Sequence, residues 1–311
     1  MKKVVFSEKA PAAIGPYSQA IKTEKTIYVS GQLPIDPATG NFPSDDIKDQ
    51  ARQSLTNIKN ILENGVSSEG MNVRPRWEDG TPAHTLSVFG VVNRYNLAEE
   101  FPIITLRRSY WKTAWDEISW IWQKKSNNIH ELNSHVWDQW ADANGSIGKA
   151  YGYQMAKQYQ FPEGVSDQVD HVIWQLQHDP ASRRIMTNMY NFEDLHEMAL
   201  APCAYSMTFS VKGNKLNAIL NQRSQDMLAA SNINVVEYAL IVYALASAYG
   251  YEPGELVHCI ADCHCYDRHL DLVRALIQNP TYDAPKLWVD PTIKNFYDFT
   301  KDSFRLDGYQ Y

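Results

Sequence analysis

Cysteine is scarce in this chain, with 4 among 311 residues: Cys203, Cys259, Cys263 and Cys265. Three of them crowd into one predicted strand, where pairing with one another is geometrically awkward, so reduced thiols fit better than a disulfide framework. An excess of positive charge is also missing. A formal net charge of -7 leaves no broad basic face of the kind that neutralises a nucleic-acid backbone, and any phosphate the protein holds is held locally. Long apolar runs are absent too. The most apolar stretch, "VVEYALIVYALASAYG", is interrupted by Glu237 and is too short to span a bilayer. The opening "MKKVVFSEKAP" lacks the apolar region of a signal peptide. The expectation is a cytoplasmic protein with neither nucleic acid nor membrane as partner. No repeat, low-complexity tract or long linker occurs.

What is present is apolar and aromatic. Hydrophobic residues make up 44% of the chain and aromatic residues 12%, enough for one large core or two smaller ones. The first part reads as strand "KKVVFS", strand "TIYVSGQLP", a turn on "DPATG", and a helix from near Ser44 with Ile47, Ala51, Leu55, Ile58 and Leu62 at helical spacing. After a boundary near Gly65 to Gly70 tryptophan becomes frequent. "EISWIWQ" and "HVWDQWADANG" both read as helices with heavy aromatic packing. Val235 to Tyr249 is apolar on nearly every side, the pattern of a helix inside a large domain. In the strand "VHCIADCHC", alternation puts Cys259, Cys263 and Cys265 on one face and His258, Asp262 and His264 on the other.

Several groups could carry chemistry. Cys203, in "LAPCAYSMTF", is either small core packing or a nucleophile. In "NQRSQDM", Arg223 and Ser224 offer a guanidinium fork and a hydroxyl, a pair suited to a phosphate monoester, and an arginine beside a thiol favours its thiolate. Arg183 and Arg184 are adjacent in "ASRRIM" and are either a second phosphate site or solvated surface. Glu117, within "WDEISWIW", is either a surface carboxylate or an inward one with a raised pKa suited to acid–base work. The cluster from His258 to His269 invites a zinc reading, but it lacks a CxxC knuckle and alternation divides its ligands, so no metal is expected.

From about Asn57 onward the chain resembles the thymidylate synthase family. The resemblance rests on long, ordered motifs: "DEISWIWQKKSNN", "VWDQWADANGSIGKAYGYQ", "DPASRRIM", "MALAPCAYSMTF", "NQRSQDM", "NINVVEYA" and "ADCHCYDRH". It implies an α/β (α+β) mixed-sheet domain forming a homodimer, and methylation of deoxyuridylate (dUMP) to thymidylate (dTMP), with 5,10-methylenetetrahydrofolate supplying carbon and hydride. It makes Cys203 the nucleophile at C6 of the uracil ring. Arg223 and Ser224 become phosphate ligands within the subunit, Arg183 and Arg184 phosphate ligands reaching the partner's active site, and Arg74 the phosphate arginine of the loop "VRPRWEDGTPAHT", with Arg76 beside it. Asn234 pairs with the uracil edge, supported by Gln222, while His264 and Tyr266 hold the sugar. Glu117 organises water and proton transfer near O4, and Tyr151 serves proton removal from C5. Trp137, Leu200 and Asp226 bound the folate site, Asp226 standing at the junction with the nucleotide. A dUMP hydroxymethylase, or a nucleotide-binding assembly module without turnover, remains open on the same residues.

Residues 1–63 resemble the first half of the reactive-intermediate (imine) deaminase family, through "APAAIGPYSQAI" and "VSGQLPIDPATG". The later strands of that fold, with the family's substrate-carboxylate arginine, have no counterpart, so deaminase activity is not expected. "NIKNILENG" suits both families, which places a shared helix at the seam between a 1–63 segment and a 57–311 catalytic domain. Three departures from the synthase pattern stand out. Ala230 replaces a glycine and Asn232 a proline, Ala204 follows the nucleophile, and the sequence ends at "RLDGYQY", before the segment that in the family folds over the folate.

Overall fold

The computed structural model describes residues 3–5, 20–22, 27–29, 62–230 and 233–311. The chain divides into two compact units, Met1–Asp49 and Gln50–Tyr311. In the first, β1 (Lys3–Val5), β2 (Ala20–Lys22) and β3 (Ile27–Val29) form an antiparallel sheet in that order. β1 and β3 fall inside the two strands expected from sequence. β2 was hidden within a stretch read only as a family motif. The helix expected from Ser44 to Leu62 lies outside the described residues except at its end, as does Asn232.

The second unit is built on a six-stranded sheet in the order β4-β5-β11-β10-β9-β8. Its strands are β4 (Val66–Ser67), β5 (Thr85–Asn96), β8 (Met186–Asn188), β9 (Ala204–Lys212), β10 (Lys215–Asp226) and β11 (Glu252–Tyr266). Every pairing is antiparallel except β10 with β11. A parallel pair needs a crossover, and a long helix between the two supplies it. Two small hairpins complete the strands, β6 (Tyr159–Phe161) with β7 (Gly164–Ser166), and β12 (Lys286–Val289) with β13 (Phe304–Asp307).

The helices are α1 (Trp111–Trp122), α2 (Gly152–Ala156), α3 (Gln168–His178), the crossover α4 (Ile233–Tyr249) and α5 (Leu270–Leu276). α4 is buried without a break from Val235 to Ala246, as its all-round apolar pattern requires. It packs against α1 and against one face of the sheet. On that face alternation sends Leu216, Ala218, Leu220 and Gln222 of β10 inward. The core therefore lies between the sheet and the α1–α4 pair. No helix among the described residues is long and apolar enough to cross a membrane.

Among the described residues, part of the other face of the sheet is left exposed. Register aligns Met186, Thr208, Ile219, Val257 and Arg94 in one row across five strands, and Met186 and Ile219 are exposed.

One expected helix does not form. "HVWDQWADANG" yields only a 3-10 turn at Asp138–Trp140. The Asp142 carboxylate takes the backbone N–H groups of Asn144 and Ser146 instead, building a loop through Gly145 at φ +80°. The simple division of "VHCIADCHC" into two unlike faces also fails at its end. Cys263, His264 and Cys265 are all buried, because a second cluster containing Met227 and Val273 packs there.

Candidate active site

Cys203 stands just before β9, in a loop pinned by one arginine. The Arg223 guanidinium donates from Nε to the Pro202 carbonyl at 3.0 Å and from Nη2 to the Ala201 carbonyl at 2.7 Å. The Arg223 backbone N–H holds the Cys203 carbonyl at 2.9 Å, and Nη2 reaches Cys203 Sγ at 3.6 Å. The loop is thus fixed while a cationic donor faces the sulfur. All 4 cysteines are free thiols.

Tyr151 closes the other side. Its hydroxyl oxygen accepts the Cys203 backbone N–H at 3.2 Å. Burial, and next the nearby Cys203, push its hydroxyl well above the ordinary tyrosine range, so the phenol holds its proton. The residue sits at φ +46°, a strained position for a non-glycine residue. Its neighbours keep it there. A Cβ on Gly152 would stand 1.9 Å from the Ser126 carbonyl oxygen, and one on Gly148 2.0 Å from the Glu197 oxygen, so only glycine allows the backbone to pass on either side.

Trp137 packs edge-on against Tyr151 at 4.8 Å and gives its indole N–H to Glu117 Oε1 at 2.9 Å. Glu117 comes from α1 and meets a second carboxyl, Glu237 of α4. Burial raises both acids above the ordinary carboxyl range, Glu237 the further because Glu117 repels its charged form. Asn234 Nδ2 donates to Glu237 Oε2 at 3.1 Å, while Asn234 Oδ1 accepts from Gln222 Nε2 at 3.1 Å. Gln222 Nε2 also donates to the Ser224 carbonyl, and Gln222 Oε1 lies 2.8 Å from His258 Nε2.

At the end of β11, His264 is buried, with Nδ1 2.6 Å from Asp262 Oδ1, and Tyr266 packs edge-on beside it. Burial raises the Tyr266 hydroxyl, with Asp226 raising it further and Arg74 opposing that rise. The Asp226 carboxylate accepts the Leu228 N–H at 2.9 Å. Arg74 lies two residues before a hairpin closed by an Arg76–Pro82 bridge. Trp77 in that hairpin donates to Asp267 and packs on Tyr266, while Arg268 grips Asp79 and Thr81. Arg76 is spent on the Val73 and Pro75 carbonyls.

Arg183 and Arg184 are exposed in the segment leading into edge strand β8. Arg184 lines a different cleft of about 660 Å³ with Tyr159, Phe161 and Trp174. Leu200 is partly buried against the main core, and Ser224 is half-buried on β10. Among the described residues no group of acids, histidines and cysteines is arranged to hold a metal ion.

Comparisons with known proteins give the family of the chain. The family model described as "Thymidylate synthase" matches residues 52–311. The chain belongs to the thymidylate synthase family. The thymidylate synthase of Bacillus mojavensis is 45% identical over 259 residues, 82% of this chain and 92% of the relative. Thymidylate synthase 1 of Bacillus subtilis (strain 168) is 43% identical over the same length and shares. In structure, thermostable thymidylate synthase A from Bacillus subtilis superposes with a TM-score of 0.80 at 42% identity, covering 84% of this chain and 95% of its own. A second model, "Endoribonuclease L-PSP", matches residues 7–70, the segment whose motifs resemble the deaminase family.

Two members of the polar chain near Cys203 were not assigned from sequence. Glu237 was noted only as an interruption of an apolar run, and His258 only as an unconvincing metal ligand. The signal for Glu237 was there: a lone carboxyl inside a helix buried on every side must have a partner.

Proposed function

We propose that the pocket around Cys203 performs the family's reaction, with each residue in the role its motif implies. As a member of the thymidylate synthase family, the chain is a methyltransferase converting dUMP to dTMP, with 5,10-methylenetetrahydrofolate as cosubstrate. The Cys203 thiolate adds to C6 of the uracil ring, which makes C5 nucleophilic enough to take the one-carbon unit. Arg223 steadies the sulfur while Ser224 and Arg223 receive the phosphate, joined by Arg74 from beside its hairpin. Asn234 reads the pyrimidine edge, held by Gln222. His264 and Tyr266 bind the sugar hydroxyl. Glu117 handles protons near O4, and Tyr151, keeping its own proton, handles the one leaving C5. Trp137, Leu200 and Asp226 frame the folate.

The observation that carries this reading is the convergence of Tyr151 and Arg223 on Cys203, from separate parts of the sequence. The family's homodimer is part of the same reading. The exposed part of the sheet is its interface, and Arg183 and Arg184 cross to the partner's phosphate site. A cytoplasmic location completes it.

The test is incubation with dUMP and 5,10-methylenetetrahydrofolate, following dihydrofolate absorbance and product mass beside a Cys203→Ser control. Thymidylate and dihydrofolate in equal amounts, both lost in the control, are expected. Hydroxymethyl product, or turnover that survives the substitution, would overturn the assignment.

A further inference from the structure

Glu237 is the only charged-type side chain in α4, and it is 1% exposed. Its Oε2 accepts from Asn234, but its Oε1 has no N–H or O–H partner among the described residues. What faces it is the carboxyl of Glu117, one of whose oxygens already accepts the Trp137 indole. Two carboxylates are acceptors only and cannot satisfy each other, so a proton must lie between them.

The surrounding donors run in one direction. His258 is buried, and burial pushes its pKa down to about 3, so the ring is neutral. Its Nε2–H donates to Gln222 Oε1, which leaves Gln222 Nε2 to donate to Asn234 Oδ1. Asn234 Nδ2 then donates to Glu237 Oε2, and the Glu237 carboxyl completes the series on Glu117. Turning Gln222 over would set its oxygen against the Ser224 and Asn234 oxygens, and turning Asn234 over would set its nitrogen against Gln222 Nε2.

We propose that Glu237 is a proton-bearing positioning residue that donates to Glu117 and locks the Asn234 amide in the orientation that reads uracil. Among the described residues each end of that amide has one bonding site taken and one open, so Asn234 can show the substrate one N–H and one lone pair. This matches the O4 and N3–H edge of uracil and mismatches cytosine. The inference rests on the assignment of Asn234 to the pyrimidine edge. The titratable neighbours of Glu237 are Glu117 on α1, Tyr151 before α2, Tyr238 beside it on α4, and His258 on β11 acting through Gln222.

The experiment compares the full-length wild type with Glu237→Gln and Glu237→Leu. It measures pH profiles of kcat, preference for dUMP over dCMP, and the infrared signal of a protonated carboxyl. A carboxamide can still donate to Glu117 and accept from Asn234, so Glu237→Gln should rescue what Glu237→Leu loses. In Glu237→Leu, kcat and the uracil preference should each fall about tenfold or more. The acid limb should move to higher pH in that variant, because Glu117 has lost a donor to its charged form. The protonated-carboxyl band should be present in the wild type and absent from Glu237→Gln.

An acid limb shifted down by about a unit in Glu237→Gln would mean that a negative charge had been removed, and would overturn the proposal. So would a wild type lacking the band, or a uracil preference unchanged in Glu237→Leu. The two assignments separate cleanly. If Asn234→Ala leaves dUMP recognition intact, the pyrimidine-edge reading has failed; if it does not and Glu237→Leu does, only the role of Glu237 has failed.

Discussion

His258 is held uncharged because burial removes the water that would solvate an imidazolium. That has a consequence for stability. The folded-state pKa of about 3 lies below the ordinary 6.5, so between those values the unfolded chain takes up a proton that the folded chain refuses. Stability from this residue is therefore complete above pH 6.5 and is lost as pH falls toward 3. Glu117 and Glu237 act in the opposite sense. Their raised pKa values favour the folded state at acid pH and cost stability as pH rises above 4.5. Replacing His258 with Gln preserves a donor to Gln222 while deleting the titration. Urea unfolding of the His258→Gln variant should show a smaller loss of stability on acidification through 6.5 than the wild type shows. An equal loss in both would place the acid sensitivity elsewhere.

At the scale of elements, the arginine hairpin is hung on the end of β11 by a few exposed contacts, not built into the core. Trp77 donates its indole N–H to Asp267 at 3.2 Å and lies beneath the Arg268 guanidinium at 5.0 Å. Releasing that hook should free Arg74 without disturbing the sheet. Trp77→Ala is expected to raise KM for dUMP about tenfold, with a smaller change in kcat and little movement of the thermal midpoint. A large fall in the midpoint with unchanged KM would show the hairpin to be a stability element instead. Elements like this one explain what was legible beforehand. α4 was readable because its apolar pattern is long and its packing obeys that pattern, whereas β11 keeps its alternation only as far as Ile260, beyond which a second cluster buries successive residues. The helix expected around Trp137 failed because Asp142 offers its carboxylate to nearby backbone N–H groups, a local competition that apolar spacing does not register. The thiol, its arginine and Asn234 could be named from motifs. The direction of the hydrogen bonds joining Asn234 to His258 and Glu237 could not, because it is set where three elements meet.

The whole molecule raises the question of what covers the open sheet face and where Arg183 and Arg184 act. Within one chain both arginines are exposed at an edge strand, and Arg184 borders a cleft away from the thiol. A two-fold interface presents the same patch from each subunit, so side chains beside the uncovered row of Met186, Thr208 and Ile219 would be carried toward the partner. If the arginines act in trans, each site is composite, and this can be tested by mixing two inactive proteins. Cys203→Ser removes the nucleophile but keeps the arginines. An Arg183→Ala, Arg184→Ala double variant keeps the nucleophile but deprives its partner of both cations. Each homodimer should be nearly inactive at low dUMP. After unfolding and refolding together, mixed dimers carry one site with both defects and one intact site, and with random pairing about a quarter of all sites recover. The regained activity should have the KM of the wild type. If mixing restores nothing while the mixed dimers demonstrably form, the arginines serve their own subunit, and the route from β8 to the phosphate must run within one chain.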